Sequence, residues 1–396
     1  MTRKAAKRGD QPRFAVLGAG NVGMAFAGHL ALKGFDVALY DRDPARIQPV
    51  EAAKAVQVVS DRPDLPQGRG RIALATTHLG EALEFADFAI VCVPCCAHED
   101  FGRHCGPFLR NHHRVLLSPG KTGGALAFWH AAMVAGCPAT PVVAEAQTVL
   151  YASQVTNPGQ VRISRVKNGV PVAAIPSART TELTACLSQA YPEFLPAETV
   201  MHTSLGNTGS VFHPAIMALN AARIESSRGE FEFYIEGVSK SVANVLERMD
   251  RERTELALHL GFGTRSAREW LAVAYGAVGS DLFEAMRAND GYYGIKAPHR
   301  LSHPYLVEEV PATLVPMASL GRHYGCPCPT IEAIIHLAST MTSTDFWALG
   351  RTVERMGLAA VPLKELGKAV REGPPIPPAP NAAAAHASRT QLTQEH

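Results

Sequence analysis

Residues 13–43 read RFAVLGAGNVGMAFAGHLALKGFDVALYDRD, and this stretch decides the fold of the first half of the chain. A short apolar strand ends at Gly18, Gly20 and Gly23, which form a G-x-G-x-x-G motif, and a helix is predicted over residues 22–33. In such a unit the first glycine permits a tight turn, the second lets the backbone approach a pyrophosphate, and the third lets the helix pack on the strand. The pattern therefore predicts a dinucleotide-binding unit rather than a merely glycine-rich turn.

The same unit predicts the remaining contacts to the dinucleotide. The helix begins beside Asn21 and Val22, where free N–H groups and the positive end of the helix dipole would face the phosphates. A second strand over residues 35–40 ends at Asp41, whose carboxylate can accept hydrogen bonds from the adenosine ribose. Arg42 follows directly and can pair with a 2′-phosphate. NAD(H) is therefore the expected cofactor, and NADP(H) is the alternative.

The composition is that of a protein with two ordinary domains and a nearly neutral surface. Of the 396 residues, 46% are hydrophobic and 19% are charged, and the formal net charge is +2. The basic residues form no stripe, which argues against nucleic-acid and acidic-membrane partners, and the apolar stretches are too short or interrupted to span a membrane. Residues 1–12 lack the apolar region of a secretory signal and are predicted to be a disordered basic tail, and the proline- and alanine-rich residues 371–396 a second one. We expect a cytoplasmic protein.

Eight cysteines raise the question of a metal site. Cys92 lies within an apolar strand, and no second Cys-x-x-Cys or histidine pair stands at zinc-like spacing from it. The pattern favours reduced thiols of a cytoplasmic protein and no metal.

Strand-like segments dominate the first half of the chain, and helical periodicity dominates the second. An apolar strand over residues 88–94 ends in Val93 and Pro94, and these two residues should border the nicotinamide because open α/β sheets bind ligands at the carboxyl ends of their strands. The expected fold is α/β, with a Rossmann-type doubly wound domain over residues 13–198 and an all-helical domain over residues 199–370. The active site should lie in the cleft between them.

The sheet is predicted to end antiparallel. Strands over residues 161–165 and 170–174 are separated by Lys167-Asn168-Gly169, and an Asn-Gly pair favours a tight hairpin turn. A hairpin is therefore expected here.

Lys121 is a candidate site residue. It lies in the glycine-rich loop SPGKTGG, residues 118–124, after a predicted strand and before a predicted helix. Loops at the carboxyl ends of strands gather ligands in this fold. The alternative is an exposed lysine in a flexible loop.

The most informative stretch of the second half is GNTGSVFHPAIMALNAARIE, residues 206–225. His213 precedes Pro214, and proline favours the first position of a helix, so His213 is predicted at or near an N-cap where an anionic group could also be held. A capping histidine without chemistry is the alternative. Asn220 lies on the otherwise apolar side of this helix, and a buried amide needs partners.

Four further patterns follow the glycine motif in order. They are N-x-x-x-x-x-H-P with a following L-N (from Asn207), F-x-F-Y-x-E-G (231–237), D-R-E-R (250–253) and Y-L-x-E-E-V-P (305–311). With this combination the chain resembles the octopine/nopaline dehydrogenase family, the opine dehydrogenases, over about residues 12–360. Members of that family reductively condense the amino group of an amino acid with a 2-oxo acid such as pyruvate, using NADH or NADPH.

The resemblance implies roles for individual residues. His213 is the expected catalytic histidine, Glu309 occupies the position of the family's dyad aspartate, and Asn207, which resembles a family position, is the third residue assigned to catalysis. The family's arginine before the tyrosine is replaced here by Pro304, for which Arg300 and His303 are candidate substitutes. The substrate contacts expected on this basis are Asn220, Arg300, Tyr305 and Glu308, the last also being an alternative partner for the histidine.

Two other functions stay open at this point. One is a two-domain reductase that converts a 2-oxo or 3-oxo acid to an alcohol without an amine. The other is a non-catalytic nucleotide-binding regulator, for which Pro304 is the main argument. The expected partners are an amino acid and a 2-oxo acid, and a homodimer is a further expectation.

Overall fold

The computed structural model describes residues 11–376, so the predicted tails fall largely outside the described residues. The second predicted tail begins at residue 371, but Arg371 and Glu372 are the last two residues of a helix. The Arg371 side chain pairs with Glu198. Within the described residues the strands all lie before residue 197. They are β1 (Phe14–Leu17), β2 (Val37–Tyr40), β3 (Ala55–Val59), β4 (Gly68–Arg71), β5 (Leu74–Thr76), β6 (Phe88–Val91), β7 (Arg114–Leu117), β8 (Val142–Ala146), β9 (Tyr151–Asn157), β10 (Gln160–Val166), β11 (Val170–Ile175) and β12 (Phe194–Pro196).

Helices alternate with the strands in the first half and make up the second half. Those of the first half are α1 (Asn21–Leu32), α2 (Pro44–Ala53), α3 (Leu79–Phe85), α4 (His98–Cys105), α5 (Gly124–Val134) and α6 (Thr180–Leu187). Those of the second half are α7 (Val200–Leu205), α8 (Gly209–Leu219), α9 (Ala221–Ser227), α10 (Lys240–His259), α11 (Ala267–Tyr275), α12 (Leu282–Arg287), α13 (Pro304–Val307), α14 (Val315–Tyr324), α15 (Pro329–Thr342), α16 (Phe346–Leu349) and α17 (Leu363–Glu372). The doubly wound first half and helical second half confirm the expected fold class.

The main sheet has eight strands in the order β12-β11-β8-β7-β6-β1-β2-β5. The strands from β5 to β8 are parallel, and β11 runs antiparallel to β8. The chain moves from β1 to β2 on one side and later returns to β6 on the other, so the winding reverses between β1 and β6. A crevice outside the carboxyl ends of these two strands is where such a sheet binds its ligand.

The predicted hairpin between residues 161–165 and 170–174 is wrong. β10 pairs with β9 and β3 in a second, four-stranded sheet of order β4-β3-β10-β9, whereas β11 pairs with β8 in the main sheet. The Asn-Gly turn at Gly169, with φ +67°, therefore carries the chain from one sheet to the other. The sheet does end antiparallel, but through β8 and β11, because strand pairing is decided by partners distant in sequence.

The second sheet explains why α1 is apolar on nearly all sides. Residues Gly23 to Leu30 of this helix are all buried, since α1 contacts β1 and β2 of the main sheet and all four strands of the second. Gly28 permits the close approach, because a Cβ atom there would lie 2.4 Å from Val58. His29 is buried with its Nδ1 2.8 Å from the Tyr151 hydroxyl, and burial with Lys33 nearby lowers the pKa of His29 to about 3. The helix is thus a neutral, buried layer between two sheets.

The helical half packs around α10. Arg253 of this helix is fully buried, its guanidinium pairs with Asp250 at 2.6 Å, and it donates to the carbonyl oxygen of Leu205. Glu252 on the same helix accepts from the backbone N–H groups of Thr330 and Ile331 at 3.0 Å, which fixes the start of α15. Asp250, Glu252 and Arg253 of the D-R-E-R segment are thus buried, and each has a hydrogen-bond partner. No helix within residues 11–376 is both long and apolar enough to cross a membrane.

Gly23 is predicted to tolerate no side chain. A Cβ atom at this position would lie 1.7 Å from the carbonyl oxygen of Gly18, so Gly23→Ala must push α1 away from β1. We expect a loss of about 1–3 kcal/mol in the free energy of unfolding, together with weaker NADH binding. Urea unfolding and fluorescence titration measure both effects. The control is Gly263→Ala, where a Cβ atom meets nothing within 4 Å; equal stability of the two variants would contradict the packing argument.

Candidate functional site

A large cleft of about 3130 Å³ runs along the carboxyl ends of β1 and β6 and reaches the helical half. Of the predicted cofactor residues, all but Gly23 line it; the lining set is Gly18, Gly20, Asn21, Val22, Asp41, Arg42, Val93 and Pro94. Gly23 lies beneath the turn. The volume is sufficient for a dinucleotide together with small substrates.

The glycine turn has the geometry that a pyrophosphate requires. Gly18 has φ +113°, and a Cβ atom there would lie 2.8 Å from the Cys92 carbonyl oxygen. Gly20 precedes the first residue of α1, and a Cβ atom there would meet only Arg46, at 3.9 Å. The backbone before α1 is therefore open to the cleft, with the N-terminus of the helix directed toward it.

Asp41 stabilises this glycine turn through hydrogen bonds. The carboxylate is buried, and it accepts hydrogen bonds from the backbone N–H groups of Ala19 at 2.8 Å and Asp43 at 3.0 Å. Arg46 lies 3.6 Å from the same carboxylate, and Arg42 is exposed at the cleft. Asp41 thus links the second strand to the glycine turn, and it also lines the cleft.

His213, Glu309 and Lys121 form one cluster at the other end of the cleft, in which Glu309 is buried and the other two residues are half-buried. The Nδ1 atom of His213 lies 2.9 Å from Oε2 of Glu309, and Nζ of Lys121 lies 2.8 Å from Oε1 of Glu309. Burial alone would raise the pKa of Glu309, but His213 and Lys121 outweigh burial and lower it to about 2. The same carboxylate raises the pKa of Lys121 against the effect of burial. Glu309 is therefore ionised at neutral pH, and Lys121 is a half-buried member of the cluster rather than an exposed loop lysine.

Aromatic side chains complete the surroundings of His213. Its Nε2 atom lies 2.6 Å from the Tyr234 hydroxyl, and its ring stacks on that of Tyr305 with centroids 3.9 Å apart. Tyr292 stacks in turn on Tyr234 with centroids 4.2 Å apart. Because Glu309 is ionised, Nδ1 carries the proton that it donates to the carboxylate, and Nε2 accepts from Tyr234. Burial raises the pKa of Tyr234, which keeps its hydroxyl protonated as the donor.

Sequence reasoning missed the contact of Tyr234 with the histidine. This tyrosine was part of the F-x-F-Y-x-E-G pattern, but no spacing rule connects it to a residue 21 positions earlier. The available signal was a tyrosine in an apolar run, since a buried hydroxyl must find a hydrogen-bond partner.

The predicted N-cap position of His213 is wrong. Helix α8 begins at Gly209 after a short turn from α7, so both His213 and Pro214 lie inside it. The helix accommodates the proline at the expense of one interior hydrogen bond. His213 therefore projects from the helix side, where Glu309 rather than a helix terminus sets its surroundings.

The structure separates the other predicted residues into two groups. Asn207, Tyr305 and Glu308 line the cleft, and Asn207 donates to the Gln147 carbonyl oxygen at 2.7 Å. Asn220 does not line it: its amide donates to the carbonyl oxygens of Ile216 and Gly237 at 2.9 and 2.8 Å, so the polar group closes the end of α8. Arg300 is exposed and also lies outside the lining.

The cysteines are unpaired thiols. All eight lie within the described residues and none forms a disulfide; burial raises the pKa of Cys95 to about 12 and lifts the pKa of Cys92 still further. Within residues 11–376 no cluster of three or more histidine, cysteine, aspartate or glutamate side chains could hold a metal ion.

Comparison with known families divides the chain as the structure does. Residues 196–342 match the alpha-helical domain of the NAD/NADP octopine/nopaline dehydrogenase family. Residues 13–124 match the N-terminus of NAD-dependent glycerol-3-phosphate dehydrogenase.

Individual relatives and solved structures are similar to this chain over most of its length. Octopine dehydrogenase, solved with NADH and L-arginine, superposes with a TM-score of 0.75 at 19% identity, covering 91% of this chain and 98% of its own. Yersinopine dehydrogenase with bound NADP+ gives a TM-score of 0.71 at 14% identity over 92% and 98% of the two chains. Vitopine synthase of Allorhizobium ampelinum is 25% identical over 87% of this chain and 95% of its own. Opine dehydrogenase of Arthrobacter sp. (strain 1C) is 34% identical over 91% of this chain and 99% of its own. The chain therefore belongs to the opine dehydrogenase family.

Proposed function

We propose that this protein catalyses the NAD(P)H-dependent reductive condensation of an amino acid with a 2-oxo acid. The observation that carries the proposal is the His213–Glu309 pair, which lies in the same cleft as the glycine turn. The family supports it, since relatives are named opine dehydrogenase and vitopine synthase, and octopine dehydrogenase has been solved with NADH and L-arginine and with pyruvate.

The reaction needs a group that both accepts and returns protons. The amino group must lose a proton to attack the 2-oxo carbon, and the resulting hydroxyl must gain one to leave as water, giving an imine. The bound dinucleotide supplies the hydride that reduces the imine carbon. His213 can accept the first proton at Nε2 and return it to the hydroxyl, while Nδ1 stays bonded to Glu309. Substrate would then share or replace the contact of Nε2 with Tyr234.

The cleft lining supports the roles of the neighbouring residues. Glu308 is half-buried beside the cluster, and burial, countered in part by Lys121, raises its pKa. Asn207 fixes the turn before α8 through Gln147. We therefore assign Asn207, Tyr305 and Glu308 to the substrate side of the site and keep Glu309 as the partner of the histidine.

Cofactor choice follows from the charges around the adenosine end of the cleft. Asp41 is well placed for ribose hydroxyls and would repel a 2′-phosphate, whereas Arg42 and Arg46 would attract one. Arg46 is partly neutralised because it also lies 3.7 Å from Asp43. We infer a preference for NADH, with NADPH as an accepted alternative.

Three further expectations stay predictions. Cytoplasmic location is consistent with eight free thiols, which suit a reducing compartment. A homodimer and a domain boundary at residue 198 are the others. The boundary is supported by the last strand of the described residues, which ends at Pro196.

The first prediction concerns the reaction itself. We expect oxidation of NADH only when a 2-oxo acid and an amino acid are supplied together, because the imine is the species reduced. Absorbance at the nicotinamide band, with a panel of 2-oxo acids with and without amino acids, measures this. Equal rates without the amine would identify a simple 2-oxo acid reductase, and no turnover with any pair would favour a regulator.

The second prediction concerns the catalytic pair. His213→Ala should lower kcat at least about a hundredfold, as expected for loss of an acid–base group, while NADH binding stays unchanged. Glu309→Gln should lower the rate and move the pH optimum, because His213 loses its carboxylate partner. Glu308→Gln is the matched control at the adjacent residue and should change the profile much less. A wild-type pH profile for Glu309→Gln would exclude this carboxylate as the partner of His213.

The third prediction concerns Asp41. Asp41→Ala removes the acceptor for two backbone N–H groups and the charge that repels a 2′-phosphate. We expect NADH to bind about tenfold more weakly, the equivalent of one charge-assisted hydrogen bond, and the NADPH-to-NADH preference to rise. Fluorescence titration with both nucleotides gives the two Kd values, and the exposed Asp36→Ala serves as control. A wild-type enzyme that binds NADPH at least tenfold more tightly than NADH would overturn the assignment.

A further inference from the structure

Both proposed substrates carry a carboxylate, and the catalytic end of the cleft must hold these groups with cations. Lys121 is already engaged by Glu309 at 2.8 Å. The start of α13, next to the stacked Tyr305, is the uncharged Pro304, and Arg300 lies outside the cleft. Arg165 and Arg265 also line the cleft but are exposed, whereas Lys167 is half-buried.

Lys167 is such a cation. It follows β10 in the turn that connects the two sheets, and its backbone N–H donates to the Leu150 carbonyl oxygen at 2.9 Å. Its side chain is half-buried and lines the cleft, and Nζ donates to the Thr148 hydroxyl at 2.9 Å. The backbone and the hydroxyl together hold the amine in one place, so it is not a freely moving surface lysine.

Hydrogen bonds connect the segment that holds Lys167 to the turn before α8, the helix that carries His213. Thr148 follows Gln147, which accepts from the Asn207 side chain at 2.7 Å and donates to the Gly206 carbonyl oxygen at 2.6 Å. Asn207 lies in the turn that leads into α8 and its histidine. Hydrogen bonds therefore connect the segment that holds Lys167 to Asn207, which also lines the cleft.

The charge of Lys167 is incompletely balanced. Among the described side chains, none of the carboxylates lies within ion-pair distance of its amine, although it feels the charges of Lys121, Arg165 and Glu309. Burial, with Lys121 and Arg165 as the next causes, lowers the pKa of Lys167 to about 8. An amine held among other cations gains most from an anion that arrives with the substrate.

We propose that Lys167, oriented by Thr148, is a binding residue for a substrate carboxylate at the catalytic end of the cleft. This inference rests on the proposed reaction, in which the amino acid and the 2-oxo acid each bring one carboxylate. The carboxylate would accept a charge-assisted hydrogen bond from Nζ. Lys167 is thus expected to act in substrate binding and not in proton transfer.

The test compares Lys167→Met with Lys167→Arg and with the control Lys364→Met on the exposed face of α17. Lys167→Met should raise the KM of one substrate by about tenfold to a hundredfold, as expected for one charge-assisted hydrogen bond, and Lys167→Arg should restore part of the affinity. The Kd for NADH should stay within about twofold of wild type for all three variants, as no dinucleotide contact is removed.

Amide analogues identify which carboxylate is bound. Each substrate is replaced in turn by its carboxamide, and the penalty of Lys167→Met should disappear for the analogue that lacks the carboxylate held by Lys167. A structural defect would instead lower activity equally with acid and amide. Thermal unfolding of each variant is measured in parallel, and Lys167→Gln replaces Lys167→Met if the latter does not fold.

Several outcomes separate this inference from the proposed reaction. Wild-type KM values in Lys167→Met would overturn the inference and leave the reaction intact, and so would a weaker Kd for NADH with unchanged substrate KM. If the wild-type enzyme turns over no substrate pair, the proposed reaction is wrong. Calorimetric titration of NADH-loaded wild type and Lys167→Met with each acid then still decides whether Lys167 binds a carboxylate.

Discussion

One carboxylate joins the two halves of this protein. Glu309 bonds to Lys121, which is 188 positions earlier in the chain, and to His213, which is 96 positions earlier. Burying any one of these charges alone would be costly, but the two contacts to one carboxylate offset the cost and keep it ionised. The orientation of the imidazole and the position of the Lys121 side chain depend on this cluster.

A second buried charge holds the segments that carry the cluster. The guanidinium of Arg351 is buried and donates to the Thr122 carbonyl oxygen at 2.5 Å and to the Cys95 carbonyl oxygen at 2.8 Å. Its backbone N–H donates to the Pro311 carbonyl oxygen at 3.0 Å. Thr122 lies in the loop of Lys121, Cys95 follows strand β6, and Pro311 lies just beyond Glu309 in the chain. A single residue thus ties these three segments through its side chain and its backbone N–H, and carbonyl oxygens rather than a carboxylate accept from it.

The sequence could predict what depends on neighbours along the chain. The glycine motif, the strand before it and the acidic residue at the end of β2 are local, and the structure places them together as expected. The pairing of His213 with Glu309 came from the resemblance to a family, whereas the local rule for His213 predicted an N-cap position that the structure contradicts. The hairpin at residues 161–174 failed because an Asn-Gly turn specifies a reversal of direction but not the strand that the returning segment joins.

The sequence by itself therefore determined the fold class, the cofactor turn and the family. Only the tertiary structure decided that α1 lies between two sheets, that Lys121 belongs to the catalytic cluster and that Asn220 caps a helix instead of meeting substrate. The physical reason is the distance along the chain over which each kind of interaction acts. Backbone conformation and amphipathic periodicity act over a few residues, whereas ion pairing and burial depend on which distant segments meet, and that is settled by the packing of the whole chain.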